Sequence, residues 1–205
     1  MSTVVAPLAY TGSIGLWALM ATAQTLIIEQ YDYYQKQTHR NRAYIHGANG
    51  KLMLSIPIKH LGEIGHQHYH TVEIENSFGW QKQHWKSIQS AYRSSPYFEF
   101  YEDDLAVFYK TEFSSLYTFN KAYFELLLKL MGWKPRLVYT QSYEASIAAT
   151  DIRAQIEQKN NTADLGLKYT QVFEEKNGFI PNLSILDLLF SEGPNALSLL
   201  KAGVS

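Results

Sequence analysis

Residues 34–58 read YQKQTHRNRAYIHGANGKLMLSIPI, and their pattern sets the fold expected for the N-terminal half. Ala48-Asn49-Gly50-Lys51 is a turn signal, because an Asn-Gly pair accepts the positive φ of a tight hairpin loop. On one side of it, residues 34–45 read as an extended run. On the other, 52–58 reads as a strand with Pro57 near its end. Ile45 and Leu52 then flank an antiparallel hairpin. Side chains alternate along an extended run. Lys36, Thr38, Arg40 and Arg42 would share one face, with Gln35, Gln37, His39 and Asn41 on the other.

Outward from the hairpin the periodicity changes twice. Leu16, Leu19, Met20 and Ala23 have helical spacing, predicting a helix over 15–23 that leads into a short apolar strand at 25–29. Residues 71–75 alternate and read as a further strand. Trp80, His84, Ile88 and Ala91 then fall on one helix face, broken by Ser94-Ser95-Pro96. Residues 98–108 read as a short acidic helix or turn. Leu116, Phe119, Tyr123, Leu127 and Leu130 stripe a helix over 116–131, with Gly132 as its stop. A strand is expected at 137–140. Residues 141–166 are polar and read as a loop or partly helical excursion, a surface connection rather than core. Asn182-Leu183-Ser184 offers caps for a helix over 184–190, Gly193-Pro194 stops it, and 195–202 starts a last helix. The expectation is an α/β fold: a mixed sheet with an antiparallel hairpin in the N-terminal half and a mostly helical C-terminal half, in one domain over 1–205.

Composition agrees with that expectation and excludes some chemistry. A chain of 205 residues, 46% hydrophobic, has apolar material for an ordinary core. Its 15 Tyr, 10 Phe and 4 Trp read first as core packing. Cysteine is absent, which removes disulfides, thiolate nucleophiles and Cys-ligated metals. Residues 1–10 lack the basic residues of a secretory signal, and the apolar run 14–28 is short for a bilayer and holds Thr22, Gln24 and Thr25. A buried helix and a cytoplasmic location are the default expectations. The net charge of −1 points to no nucleic-acid partner. The average hides an asymmetry. Residues 33–62 contain no acid but carry Lys36, Arg40, Arg42, Lys51 and Lys59, whereas 141–205 hold eight acids against five bases. The basic stretch is either an anion site or is paired in the folded protein with the acidic C-terminal region.

Three constellations could carry chemistry. In residues 35–42, two Arg and a Lys can grip a phosphate or carboxylate, the guanidinium offering paired donors. The plain alternative is an edge strand guarded by charge. His84, on a helix face with Trp80 and close to Tyr92, could be a general base or a satisfied core histidine. His66, His68 and His70, with Glu63 nearby, could offer nitrogens to a metal, but Gly62 and Gly65 suggest a loop tip, so no metal and no cofactor are assigned. GxGxxG, GxxxxGK[ST], GxSxG and HExxH motifs are missing.

These residues also resemble the WbqC-like family of bacterial proteins. The likeness runs through 33–42, Asn49-Gly50-Lys51 with Leu54-Ser55-Ile56-Pro57, Trp80 with His84, Ala91-Tyr92 with Ser95-Pro96-Tyr97-Phe98, and the tail 179–190. The family's first block normally carries Gln-Pro, where this chain has Leu8-Ala9-Tyr10-Thr11-Gly12-Ser13. The resemblance implies a setting in surface polysaccharide or lipopolysaccharide assembly and a transferase role. On that reading Lys36, Arg40 and Arg42 hold an anionic small molecule, such as a nucleotide sugar or an acyl or aminoacyl phosphate. His84 is the base, and Tyr34 or Tyr92 donates or stacks. Gln35, Gln37, Asn41 and Trp80 complete the substrate contacts. The alternative is a non-catalytic anion- or carbohydrate-binding assembly protein in which His84 and Trp80 are structural.

Overall fold

The computed structural model describes residues 2–59, 67–157 and 166–203. Its centre is β1 (Thr3–Pro7), whose Val4, Val5 and Ala6 are all buried. Burial on both faces is what a central strand of a parallel sheet demands. β1 was not visible in the sequence pattern, because a five-residue apolar strand shows no alternation. It leads into α1 (Ile14–Ala21), in which only Leu19 escapes burial, so this helix is apolar all round and lies inside the protein. β2 (Thr25–Glu29) follows with the bounds expected from its sequence. The apolar run 14–28 is therefore a buried helix and a strand. Among the described residues no helix is long and apolar enough to cross a membrane.

With the hairpin strands β3 (Arg42–Gly47) and β4 (Gly50–Ser55) standing apart, β5 (Arg136–Tyr139) and β6 (Thr150–Asp151) complete a parallel sheet of order β5-β2-β1-β6. The chain steps from β1 through β2 to β5 and returns to the far side of β1 as β6. Strand order thus reverses at the β1/β6 pair, and the crevice beyond the carboxyl ends there is where such sheets bind ligands. In the hairpin β3 and β4 run antiparallel, Ile45 opposite Leu52 as expected. Gly50, at φ 99°, supplies the positive φ. The protein is thus α/β, with parallel strands, an antiparallel hairpin in the N-terminal half and helices mostly in the C-terminal half.

Residues 34–41 correct the expected extended run. They form turns: Gln37 has φ 62°, and the Thr38 hydroxyl donates to the Gln35 carbonyl at 2.9 Å. The alternation that grouped Lys36, Thr38, Arg40 and Arg42 is lost. Gln35, Lys36 and Gln37 are exposed, while Thr38, His39, Arg40 and Asn41 are buried. The strand expected at 71–75 is also absent. A short 3-10 turn (Tyr69–Thr71) is followed by single bridges from Glu73 and Ile74.

The helices are α2 (Trp80–Tyr92), α3 (Phe98–Lys110), α4 (Leu116–Leu130), α5 (Glu174–Asn177), α6 (Ile185–Glu192) and α7 (Ala196–Ala202). Of the helix or turn expected over 98–108, the structure shows the helix, two residues longer than expected. Exposed Phe100 and Val107 blur its stripe, but Phe98, Tyr101, Leu105 and Tyr109 face the core. The polar stretch 141–166 is also more than a surface connection in its described part. It supplies β6 and a 3-10 turn (Arg153–Ile156) with Arg153 and Ile156 buried. Gly193 ends α6 at φ 52°, and a Cβ there would lie 2.5 Å from the Tyr97 ring. Gly193→Ala is expected to lower stability by about 2 kcal/mol, from strained φ and overpacking together. The urea midpoint reads it; an unchanged midpoint would show that Tyr97 swings aside freely.

Candidate functional site

Two buried arginines lie near the carboxyl edge of the parallel sheet and are treated very differently. Arg153 follows β6. Its Nε–H donates to Asp151, its Nη1 to Glu29 and the Glu144 carbonyl, and its Nη2 to Asp151 and the Ala145 carbonyl. Every nitrogen has a protein acceptor, so Arg153 is a clamp that pins 144–153 to the end of β2. Nothing of this was read from the sequence, where Arg153 was one charge in a polar stretch.

Arg40 is only 1% exposed, yet its Nη2 alone is paired, with Asp32. Its Nε and Nη1 have no hydrogen-bond partner among the described residues, and Arg42 Nε is in the same state. A buried guanidinium group with unclaimed donors is costly, roughly 1–3 kcal/mol for each unsatisfied group. Among the described residues no ion pair joins the basic stretch to the acidic C-terminal region, and the stretch's ion pairs run to Asp32 and Glu73. Asp32 stands one residue before the acid-free stretch, so the composition of that stretch does not show it.

Around Arg40 the chain gathers polar and aromatic side chains. The guanidinium group lies over the Tyr69 ring, 5.2 Å from its centroid. Asn120, wholly buried on α4, donates from Nδ2 to the Arg40 carbonyl at 2.7 Å and to the Tyr69 hydroxyl at 2.6 Å. Tyr34 is half-buried, and burial pushes its hydroxyl up to about 12 while the charges of Arg40 and Arg42 pull it down. At neutral pH it is a proton donor, not a base. The structure thus brings Arg40, Arg42 and Tyr34 together. Asn41 lies alongside, bonded through Nδ2 to the Ile56 carbonyl at 2.9 Å. Gln35, Lys36 and Gln37 remain outside on the exposed part of the turn.

His84, Trp80 and Tyr92 sit in the aromatic interior. His84 is 5% exposed and Trp80 crosses it edge-on at 5.1 Å. Its Nδ1 bonds the Tyr10 hydroxyl at 3.0 Å, leaving Nε2 to donate to the Ser55 carbonyl. Tyr10 O–H must therefore donate to Nδ1. Tyr10 in turn accepts from Tyr109 at 3.0 Å, and Tyr109 from Tyr123 at 3.2 Å. Desolvation lowers His84 to about 4. Tyr92 donates to Asp187 at 2.7 Å, inside a second buried network with Tyr169, Gln171 and His46. His84 still touches the Arg40 region indirectly, since the Tyr10 backbone N–H donates to the His39 carbonyl at 2.8 Å.

The loop after β1 holds strain at this edge. Thr11 has φ 57°, and Gly12 N–H donates back to the Tyr10 carbonyl at 2.7 Å, a γ-turn centred on a β-branched residue. Backbone in such states persists where the surroundings enforce it, and functional sites are rich in them. Here Trp17 Nε1–H donates to the Thr11 carbonyl and Ser184 Oγ–H to Thr11 Oγ1. This is also where the expected Gln-Pro is replaced.

The histidine cluster is not a strand. His66 and Glu63 lie outside the described residues. His68 Nδ1 meets the Tyr31 carbonyl at 3.0 Å, and His70 packs edge-on to Tyr31. Among the described residues no three His, Cys, Asp or Glu side chains are grouped to hold a metal ion.

The model of the WbqC-like protein family matches residues 9–166, which include the strained loop, both arginines, α2 and Asn120 but not the tail 179–190. A curated protein named "Uncharacterized protein Rv1507c", from Mycobacterium tuberculosis (strain ATCC 25618 / H37Rv), is 26% identical over 209 residues, covering 89% of this chain and 90% of its own. No solved structure matches. With the greater part of its length matched, including the turn that carries Arg40, the chain belongs to the WbqC-like protein family.

Proposed function

We propose that the chain is a group transferase of bacterial surface-polysaccharide assembly that holds an anionic, activated small molecule on Arg40 and Arg42. One observation carries the reading: Arg40 is buried, and two of its three guanidinium nitrogens have no partner among the described residues. The polysaccharide setting and the transfer chemistry rest on the family resemblance. In group transfer from a phosphate-activated donor, negative charge builds on the departing phosphate, and fixed guanidinium groups stabilise it. Tyr34, protonated at neutral pH and within reach of both arginine charges, would donate toward the same charge.

The second reading, a non-catalytic anion-binding protein, is favoured by a different observation. His84, the residue proposed as base, has both ring nitrogens engaged and is almost fully buried. Calorimetry with nucleotide sugars and acyl phosphates tests the shared part. Arg42→Gln is expected to weaken binding at least about tenfold, the value of a charge-assisted hydrogen bond. Equal affinity in the variant would overturn the anion site. His84→Gln separates the readings: lost turnover with retained binding supports transfer with His84 as base, and retained turnover removes His84 from it.

A further inference from the structure

The unclaimed groups around Arg40 are of two kinds. Arg40 and Arg42 present donors, whereas Asn41 Oδ1 and Asn120 Oδ1 are buried acceptors with no partner among the described residues. The identity of these amide ends is set by chemistry. Asn120 Nδ2 faces the Arg40 carbonyl and Asn41 Nδ2 faces the Ile56 carbonyl, and a carbonyl only accepts. Turning either amide over would set two oxygens against each other. The free end is therefore an oxygen in both. Asn120 is 0% and Asn41 8% exposed, so neither is met by bulk water. Tyr69 ties the two kinds together, its hydroxyl held by Asn120 and its ring lying beneath the Arg40 guanidinium group.

A simple anion answers only half of this arrangement. A dianionic phosphate or an acyl phosphate offers acceptors to Arg40 and Arg42 but nothing that donates to an amide oxygen. We infer that the ligand is a hydroxylated phosphate, a sugar phosphate or a nucleotide sugar, whose anionic group lies on Arg40 and Arg42 and whose hydroxyls donate to Asn120 Oδ1 and Asn41 Oδ1. This rests on the anion-site reading above and narrows it, setting aside the acyl phosphates that carry no donor. The physical basis is asymmetric. A site with buried groups built to bond a hydroxyl rejects the analogue that lacks it far more strongly than an apolar pocket rejects a missing methylene.

Calorimetry at pH 8 tests it, with methyl phosphate and acetyl phosphate as hydroxyl-free dianions against glycerol 1-phosphate, ribose 5-phosphate, glucose 1-phosphate and UDP-glucose. At least one hydroxylated compound is expected to bind about tenfold or more tightly than either hydroxyl-free one, from the hydrogen bonds to otherwise unsatisfied acceptors. In Asn120→Ala and Asn41→Ala that ratio is expected to fall toward one, whatever the change in methyl phosphate affinity itself. Should a variant fail to fold, the wild-type ratio decides alone. Hydroxyl-free phosphates binding as tightly as every hydroxylated one would overturn the inference and leave the anion site standing. No binding by any compound of the panel would overturn the anion site itself.

Discussion

Replacing Asp187 with alanine is expected to remove roughly 3–5 kcal/mol of stability, because it strands two buried hydroxyl donors and takes one acceptor from a third donor, Gln171. Asp187 is 1% exposed on α6. Its carboxyl group accepts from Tyr92 O–H at 2.7 Å, Tyr169 O–H at 2.6 Å and Gln171 Nε2–H at 3.0 Å. Those donors come from α2 and from residues 169–171. Gln171 extends the network to His46 on β3, at 3.1 Å. Burial pushes the Asp187 carboxyl group up, and the three donors pull it back. Without it, two tyrosine hydroxyls and an amide must each lose a partner in a space closed to water. Several kcal/mol is a large part of the 5–15 kcal/mol typical of a whole domain, and for a chain of this size it equals a fall of about 10–15 °C in Tm. Urea titration with a far-ultraviolet probe reads it. Tyr92→Phe, which removes one donor and leaves the carboxylate, should lose clearly less. A loss under about 1 kcal/mol in Asp187→Ala would show that the network relaxes or admits water, since that is the range of a surface substitution.

The Asp187 network marks the limit of what can be read locally. Tyr92 and Asp187 are 95 residues apart, and Arg40 and Asn120 are 80 apart. Neither pair has a periodicity that announces it. What was legible depended on spacing: the hairpin with Ile45 against Leu52, β2, and the faces of α2 and α4 all follow from side-chain repeats of two or near four. The turn at 34–41 was not legible, because Gln37 takes a left-handed φ that glutamine does not advertise, and one such residue converts an alternating run into a buried loop. The error mattered for the site. Composition located the basic stretch, but the folded turn decides that Lys36 faces solvent while Arg40 is enclosed. Arg153 gives the reverse lesson. A polar stretch looks like surface until its arginine is seen to spend all its nitrogens on Glu29, Asp151 and two carbonyls.

Acidification is expected to destabilise the protein steeply between pH 6.5 and about 4. Burial holds both His39 and His84 near 4 in the folded state, against 6.5 for a free imidazole. For His39 the nearby Lys51 charge adds to burial, and a backbone hydrogen bond with Arg42 opposes it. For His84 the Ser55 carbonyl opposes it. In that window the unfolded chain binds protons that the folded chain refuses, so stability is fully present above pH 6.5 and falls as the pH drops. A depression of this size is worth roughly 3 kcal/mol for each histidine once the pH reaches 4, as an order of magnitude. Asp187 runs the other way, since an acid raised on folding gains stability as the pH falls toward its unfolded value. The difference between variants therefore decides more than the wild-type curve does. His84→Gln keeps an acceptor for Tyr10 O–H and a donor for the Ser55 carbonyl but cannot bind a proton. Its stability is expected to decline with pH about half as steeply as the wild type's, and His39→Gln should do the same. Urea unfolding at pH 7.5, 6, 5 and 4 measures the slopes. Equal slopes in wild type and both variants would show that these imidazoles are solvated and free to charge. The test also bears on the site. Protonating His84 places a hydrogen on Nδ1, where Tyr10 O–H now donates, and turns the Tyr123–Tyr109–Tyr10 chain against itself. Tyr10 begins the strained loop and its backbone holds the His39 turn, so the first structure lost on acidification should be the one that positions Arg40.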